Sequence, residues 1–91
     1  MIHDLGTRRA RLRYRTSHTG TKETDLLFGG FIERYGKSLD ESEVAAAEAL
    51  LDGANDPQIL NWIVGREPVP AAFDTPLMGR LKAFVTERHR S

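Results

Sequence analysis

A chain of 91 residues, 40% hydrophobic and 29% charged, is the size of one small soluble domain and leaves no room for two. By the usual scaling of surface with size, such a domain buries only about 60–65% of the surface its unfolded chain exposes, so its core must be economical. It has no cysteine, which excludes disulfides, thiolate catalysis and cysteine-held zinc or iron–sulfur clusters. The net charge of zero is segregated, +5 over residues 1–22, −8 over 23–74 and +3 over 75–91. Basic ends and an acidic middle suit an oriented match with a protein partner, or pairing of the ends against the middle within the fold.

No run approaches the ~18 apolar residues of a membrane span, and the opening "MIHDLG" lacks the layout of a signal peptide. A cytoplasmic, bacterial protein without membrane insertion is expected. His3, His18 and His89 match no common metal-ligand spacing, so no metal site is expected.

The periodicity is helical from end to end, predicting an all-α, single-domain bundle of about five short helices, with residues 1–6 and 89–91 as flexible ends. The first helix is predicted over Thr7 to Ser17, where Leu12 and Tyr14 are the obvious apolar residues. Its arginines, at positions 8, 9, 11, 13 and 15, are spread around the helix rather than along one stripe. The "TGT" that follows is hinge grammar: Gly20 is expected as a C-terminal glycine at positive φ, and Thr21 as the cap of the next helix.

That second helix is predicted over residues 22–35, with Leu27, Phe31 and Tyr35 recurring every four and Leu26, Phe28 and Ile32 widening the stripe. Within it, Gly29 and Gly30 each cost about 1 kcal/mol relative to alanine. Close approach of another backbone is the preferred explanation; without a preceding strand the pair is not a phosphate loop.

In "SLDESEVAAAEALLDG", Ser38 or Asp40 caps a third helix that faces Val44, Ala47, Leu50 and Leu51 inward and stops at Gly53. In "NDPQILNWIVGREPVP", Asp56 is expected to cap and Pro57 to take the first helical position, with Gly65 ending a short fourth helix. Trp62, near its end, is expected to be half exposed and a contact anchor as much as core filler. Thr75 and Pro76 open a fifth helix whose apolar face is Leu77, Leu81, Phe84 and Val85, fraying after about Arg88.

Catalytic constellations are missing: no Ser-His-Asp order, paired-carboxylate pocket or dinucleotide fingerprint assembles. A non-enzyme is expected. A basic-helix nucleic-acid regulator is one alternative, weakened by the scattered arginines and by aromatic interleaving limited to Tyr14. An antitoxin-like helical interaction module is another.

The order "RLRYR…HTGTKETDLLFGGF", "EALLD", "DPQILNWIVGREPVP" and "TPLMGRLKAF" resembles the succinate dehydrogenase flavinylation factors, the SdhE-type assembly factors, from about Arg8 to Phe84. The resemblance implies a five-helix bundle, not an enzyme, that binds the flavoprotein subunit of succinate dehydrogenase, and in bacteria that of fumarate reductase. There it promotes covalent attachment of FAD to a histidine of that subunit, the FAD belonging to the partner and none being held stably by the factor. The family signature Arg-Gly-x-x-Glu falls on Thr19, Gly20 and Glu23, so Thr19 stands where the arginine is expected. A planar, permanently charged donor is replaced by a hydroxyl, and Arg15 or Lys22 would have to compensate. Partner-binding residues implied in this way are Gly20, Glu23 and Thr19, with Arg11, Arg15, Lys22 and Trp62 joining them at the same edge of a monomer.

Overall fold

In a computed structural model that describes residues 4–90, the chain forms five α-helices, with no strand among the described residues. Helix α1 (Leu5–Thr16) starts two residues before the expected Thr7, because Asp4 caps it: the carboxylate accepts from the Thr7 N–H at 2.7 Å. Leu5 packs against the core, so residues 5 and 6 are not a loose end; residues 1–3 and 91 lie outside the described part.

Helix α2 spans residues 22–35 without a break, but Asp25–Gly29 is wound as a π-helical segment. Leu27 and Phe28 both turn into the core, which leaves Leu26, two residues before Phe28, on the opposite side of the axis from Phe28. Leu26 is therefore 52% exposed and does not widen the buried stripe as the spacing suggested.

Helix α3 (Glu41–Gly53) is capped by Asp40, not Ser38, in a reciprocal capping box with Glu43. Helix α4 (Asp56–Ile63) is capped one residue earlier than expected. Asn55 accepts from the Gln58 N–H and Gln58 reaches back to the Asn55 N–H, so Asp56 takes the first helical position. Gly65, at φ +82°, lies just past its end. Helix α5 (Pro76–Arg90) begins with the Thr75 hydroxyl accepting from the Met78 N–H at 3.2 Å and continues helical to Arg90, beyond the expected fraying point. Short 3₁₀ turns at Gly36–Ser38 and Ala71–Phe73 complete the chain.

Helix α1 lies across α2 and α3, while α5 packs on α3 and α4. The interior is filled by Leu12, Phe28, Phe31, Val44, Leu50, Ile59, Ile63, Leu81 and Val85, each 2% exposed or less. Each such leucine, isoleucine or phenylalanine contributes about 1.5–3 kcal/mol by leaving water.

The segregated charges meet within the fold. Arg8 pairs with Glu48, Arg13 with Glu33, Arg15 with Asp52 and Arg80 with Glu43, each pair joining a basic end to the acidic middle. Arg9 also donates to the Leu39 carbonyl. Arg8 and Arg9 thus tie α1 to the body at part-buried positions, while the exposed Arg13 and Arg15 pairs add little to stability. No described helix is long and apolar enough to cross a membrane.

Candidate functional site

The candidate site grows from the way α1 ends. Thr16 is fully buried, its hydroxyl donating back to the Leu12 carbonyl at 2.9 Å. Ser17 closes the helix in right-handed geometry, so Gly20 is four residues past the last helical residue rather than at its C-terminal stop. The expected positive φ is present nonetheless, at +107°. Only glycine takes this backbone cheaply, and a Cβ would also meet the Asp56 carboxylate at 3.2 Å.

Asp25 holds this turn. Its Oδ1 accepts from the Thr19 N–H at 2.8 Å and from the Thr19 hydroxyl, tying the residue before Gly20 to the first turn of α2. These bonds favour the ionised carboxyl. The Thr19 hydroxyl first and the Thr19 N–H second hold Asp25 below its ordinary value of 3.8, against a smaller desolvation effect and with slight help from His18. Thr21 occupies the capping position of α2 but caps no N–H; its hydroxyl donates to the Thr24 hydroxyl at 2.9 Å.

The double glycine fixes where the turn sits. A Cβ on Gly29 would stand 2.9 Å from the Thr16 carbonyl oxygen, so here two backbones do approach unusually closely. Gly30 faces the Phe84 ring, and its Cβ would find ordinary contact at 3.6 Å.

Arg11, Tyr14 and Arg15 on α1, and His18 two residues past its end, follow i, i+3, i+4, i+7 spacing and form one face that runs into the turn. Tyr14 is 65% exposed, and its ring stacks on His18 with centroids 4.1 Å apart. His18 Nδ1–H donates to the Tyr14 carbonyl at 2.7 Å, which leaves Nε2 directed away from the helix. Between this stack, Arg15, Thr19, Leu51 and Asp56 lies a shallow concavity of about 230 Å³.

The structure brings most of the predicted partner-binding residues to this edge. Gly20, Lys22 and Glu23 are exposed at the turn and the first residues of α2, Arg11 is exposed on α1, and Thr19 and Arg15 are half-buried. Arg15 donates to Asp52 at 2.7 Å. Trp62 is the exception: it is 6% exposed and stacked on Phe73 at 5.3 Å, so it fills the core and offers no surface anchor. The half exposure expected for it is corrected by the 3₁₀ turn Ala71–Phe73, which folds over the ring. Asp25, Tyr14 and His18 were not among the expected site residues. The 11, 14, 15, 18 spacing would have marked the last two, while only the folded turn reveals the first.

Comparison with known proteins decides the family. Residues 10–85 match the family described as flavinator of succinate dehydrogenase. The chain belongs to that flavinator family. Among curated relatives of this flavinator chain, the FAD assembly factor SdhE of Acetobacter pasteurianus is 38% identical over 78 residues, covering 86% of the chain and 71% of the relative. The mitochondrial succinate dehydrogenase assembly factor 2 of Drosophila virilis is 38% identical over 87 residues, covering 94% of the chain and 55% of the relative. That of Drosophila grimshawi is 39% identical over 82 residues, covering 89% and 56%. The chain therefore spans little more than half the length of these insect relatives.

Proposed function

We propose that this flavinator-family chain binds the flavoprotein subunit of succinate dehydrogenase through the Gly20 edge and promotes covalent attachment of FAD to a histidine of that subunit. The same edge would serve the fumarate reductase flavoprotein. The FAD is the partner's; the factor acts as a monomer in the bacterial cytosol, holds no flavin stably and supplies neither acid nor base. What it supplies is orientation, and holding reacting groups in a near-attack geometry can be worth several orders of magnitude in rate.

The observation that carries this reading is the rigid turn at the family's signature position. Thr19 is bonded twice to Asp25, and Gly20 adopts a backbone that keeps its surface bare. Glu23, exposed at the start of α2, is an acceptor fixed on the same edge. A partner can therefore meet a preformed surface, without ordering a loop as it binds.

The test is in-gel flavin fluorescence of the denatured flavoprotein subunit from cells with and without the gene. Loss of the covalent flavin signal, restored by the wild-type chain but not by Gly20→Arg, supports the reading. An unchanged signal in the deletion strain refutes the assembly role. Full rescue by both Gly20→Arg and Glu23→Ala would keep the role and remove this edge as its site.

A further inference from the structure

The carboxylate of Asp56 is unused by the fold. Asp56 takes the first helical position of α4, but Asn55 caps that helix, so no orphan N–H needs the acid. Among the described residues its side chain makes no ion pair and no hydrogen bond. A negative charge is favoured at the start of a helix, which explains the residue type but not where its oxygens stand. They stand against the Gly20 turn. A Cβ on Gly20 would lie 3.2 Å from Oδ2, so the bare glycine leaves that side of the carboxylate open.

Asp56 lines the concavity of about 230 Å³ beside that turn. Leu51 and Ala54 give it half-buried apolar surface, and Tyr14 gives it an aromatic ring. His18 stacks on one face of that ring, yet Tyr14 is still 65% exposed, so the ring keeps surface for a second group. Arg15 is held by Asp52 at 2.7 Å, which leaves Asp56 as the unbalanced charge of the concavity when His18 is neutral. These walls narrow the occupant. An apolar side chain would leave the Asp56 charge covered without a partner, which is costly. A phosphate or carboxylate would be repelled. A divalent cation needs several oxygen ligands, and no group of three His, Asp or Glu residues gathers among the described residues. The volume is below that of ordinary small-molecule sites and suits one long side chain. An arginine satisfies every wall, with its guanidinium on the carboxylate and against Tyr14, and its methylenes on Leu51 and Ala54.

We propose that Asp56 is a further partner-binding residue of the Gly20 edge, and that its concavity receives an arginine side chain presented by the partner protein. That this partner is the flavoprotein rests on the function proposed above; the preference for a guanidinium does not.

The probe is N-acetyl-arginine methylamide, titrated into the isotope-labelled full chain at about 20 mM salt and followed by amide chemical shifts, with the citrulline analogue as its neutral isostere. Millimolar binding is expected of so small a probe, with shifts clustered on residues 14–20 and 51–56. The citrulline analogue should bind at least about fivefold more weakly. Asp56→Asn, which leaves the cap between Asn55 and Gln58 in place, should weaken arginine binding by about the same factor while the spectrum stays folded. In a second arm, the purified flavoprotein subunit is titrated with the wild-type chain, Asp56→Asn and Asp56→Arg; about a fivefold loss is expected for the first variant and a larger one for the second. Equal binding of citrulline, shifts that fall elsewhere, or arginine binding unchanged by Asp56→Asn overturns the guanidinium pocket. Wild-type and Asp56→Arg chains that bind the flavoprotein equally overturn Asp56 as a partner contact. Arginine binding that depends on Asp56, together with a wild-type chain that does not bind the flavoprotein, supports the pocket and refutes the flavoprotein reading instead.

Discussion

The two adjacent glycines of α2 should respond to the same substitution with opposite signs. Gly29→Ala places a methyl 2.9 Å from the Thr16 carbonyl oxygen and 3.4 Å from its carbon, both backbone atoms of a residue with no exposed surface. The helices must separate by about half an ångström there, and overpacking of this kind costs about 1–3 kcal/mol. The gain in helix propensity returns at most about 1 kcal/mol. Gly29→Ala should therefore lose about 1–2 kcal/mol net. Gly30→Ala makes only ordinary contact with Phe84, at 3.6 Å, so it should keep the propensity gain and be neutral or more stable by up to about 1 kcal/mol. Since propensity enters both substitutions equally, the difference of about 2 kcal/mol isolates the close approach. In thermal unfolding followed by circular dichroism, the two variants should melt on the order of 10 °C apart. Equal melting temperatures, or a more stable Gly29→Ala, would refute the claim that α1 and α2 are locked at this point.

Asp25 predicts a pH dependence. Its folded-state carboxyl titrates below the ordinary 3.8, so the unfolded chain takes up the proton first as pH falls. The stabilisation is complete above that value and is lost as pH drops through the lower folded one. Urea midpoints of the wild type should therefore fall faster below pH ~4 than those of Asp25→Asn; parallel curves would mean that the Thr19 bonds contribute nothing in solution. Tyr14 and Trp62 should separate binding from folding. Tyr14→Ala, at a 65% exposed position, should leave stability within about 0.5 kcal/mol and weaken flavoprotein binding by at least about fivefold, as read by urea unfolding and pull-down titration. Trp62→Ala, at a 6% exposed position, should cost about 3–5 kcal/mol of stability. A destabilised Tyr14→Ala that binds normally would reverse the assignment.

What the sequence made legible was whatever is encoded locally. Asp40 with Glu43, Thr75 with Pro76, and the spacing of Leu27, Phe31 and Tyr35 each carry a signal within one or two helical turns, and those elements formed where expected. Asn55 against Asp56 was a choice between two good caps, and Gln58 three residues after Asn55 was the discriminating signal. The oddity of Gly29 pointed to a close neighbour without naming it, because the neighbour is the end of another helix. Trp62 was misjudged for the same reason: its cover, Phe73, comes from a turn beyond a proline-constrained connection. The π-helical segment that turns Leu26 outward has no recognisable local signature at all.

The structure also gives the Thr19 departure a physical meaning. Asp25 sits beneath position 19, and the threonine answers it with a neutral hydroxyl in addition to its N–H, so the turn is closed without a cation. If the proposed partner still presents a carboxylate to this edge, the positive charge must come from a neighbour. Arg15 is already held by Asp52 at 2.7 Å, whereas Lys22 stands exposed on the first residue of α2, two positions past Gly20. Lys22 is thus the better placed substitute, although an ammonium gives a point charge where a guanidinium gives a two-toothed fork. A double-mutant cycle tests this. Lys22→Ala should lower covalent flavinylation in the native background by about fivefold or more, and should matter much less once Thr19→Arg restores the guanidinium, giving a coupling of about 1 kcal/mol between two positions whose side chains need not touch. Equal effects of Lys22→Ala in both backgrounds would show that the lysine does not stand in for the missing arginine, and that the partner has dispensed with the charge.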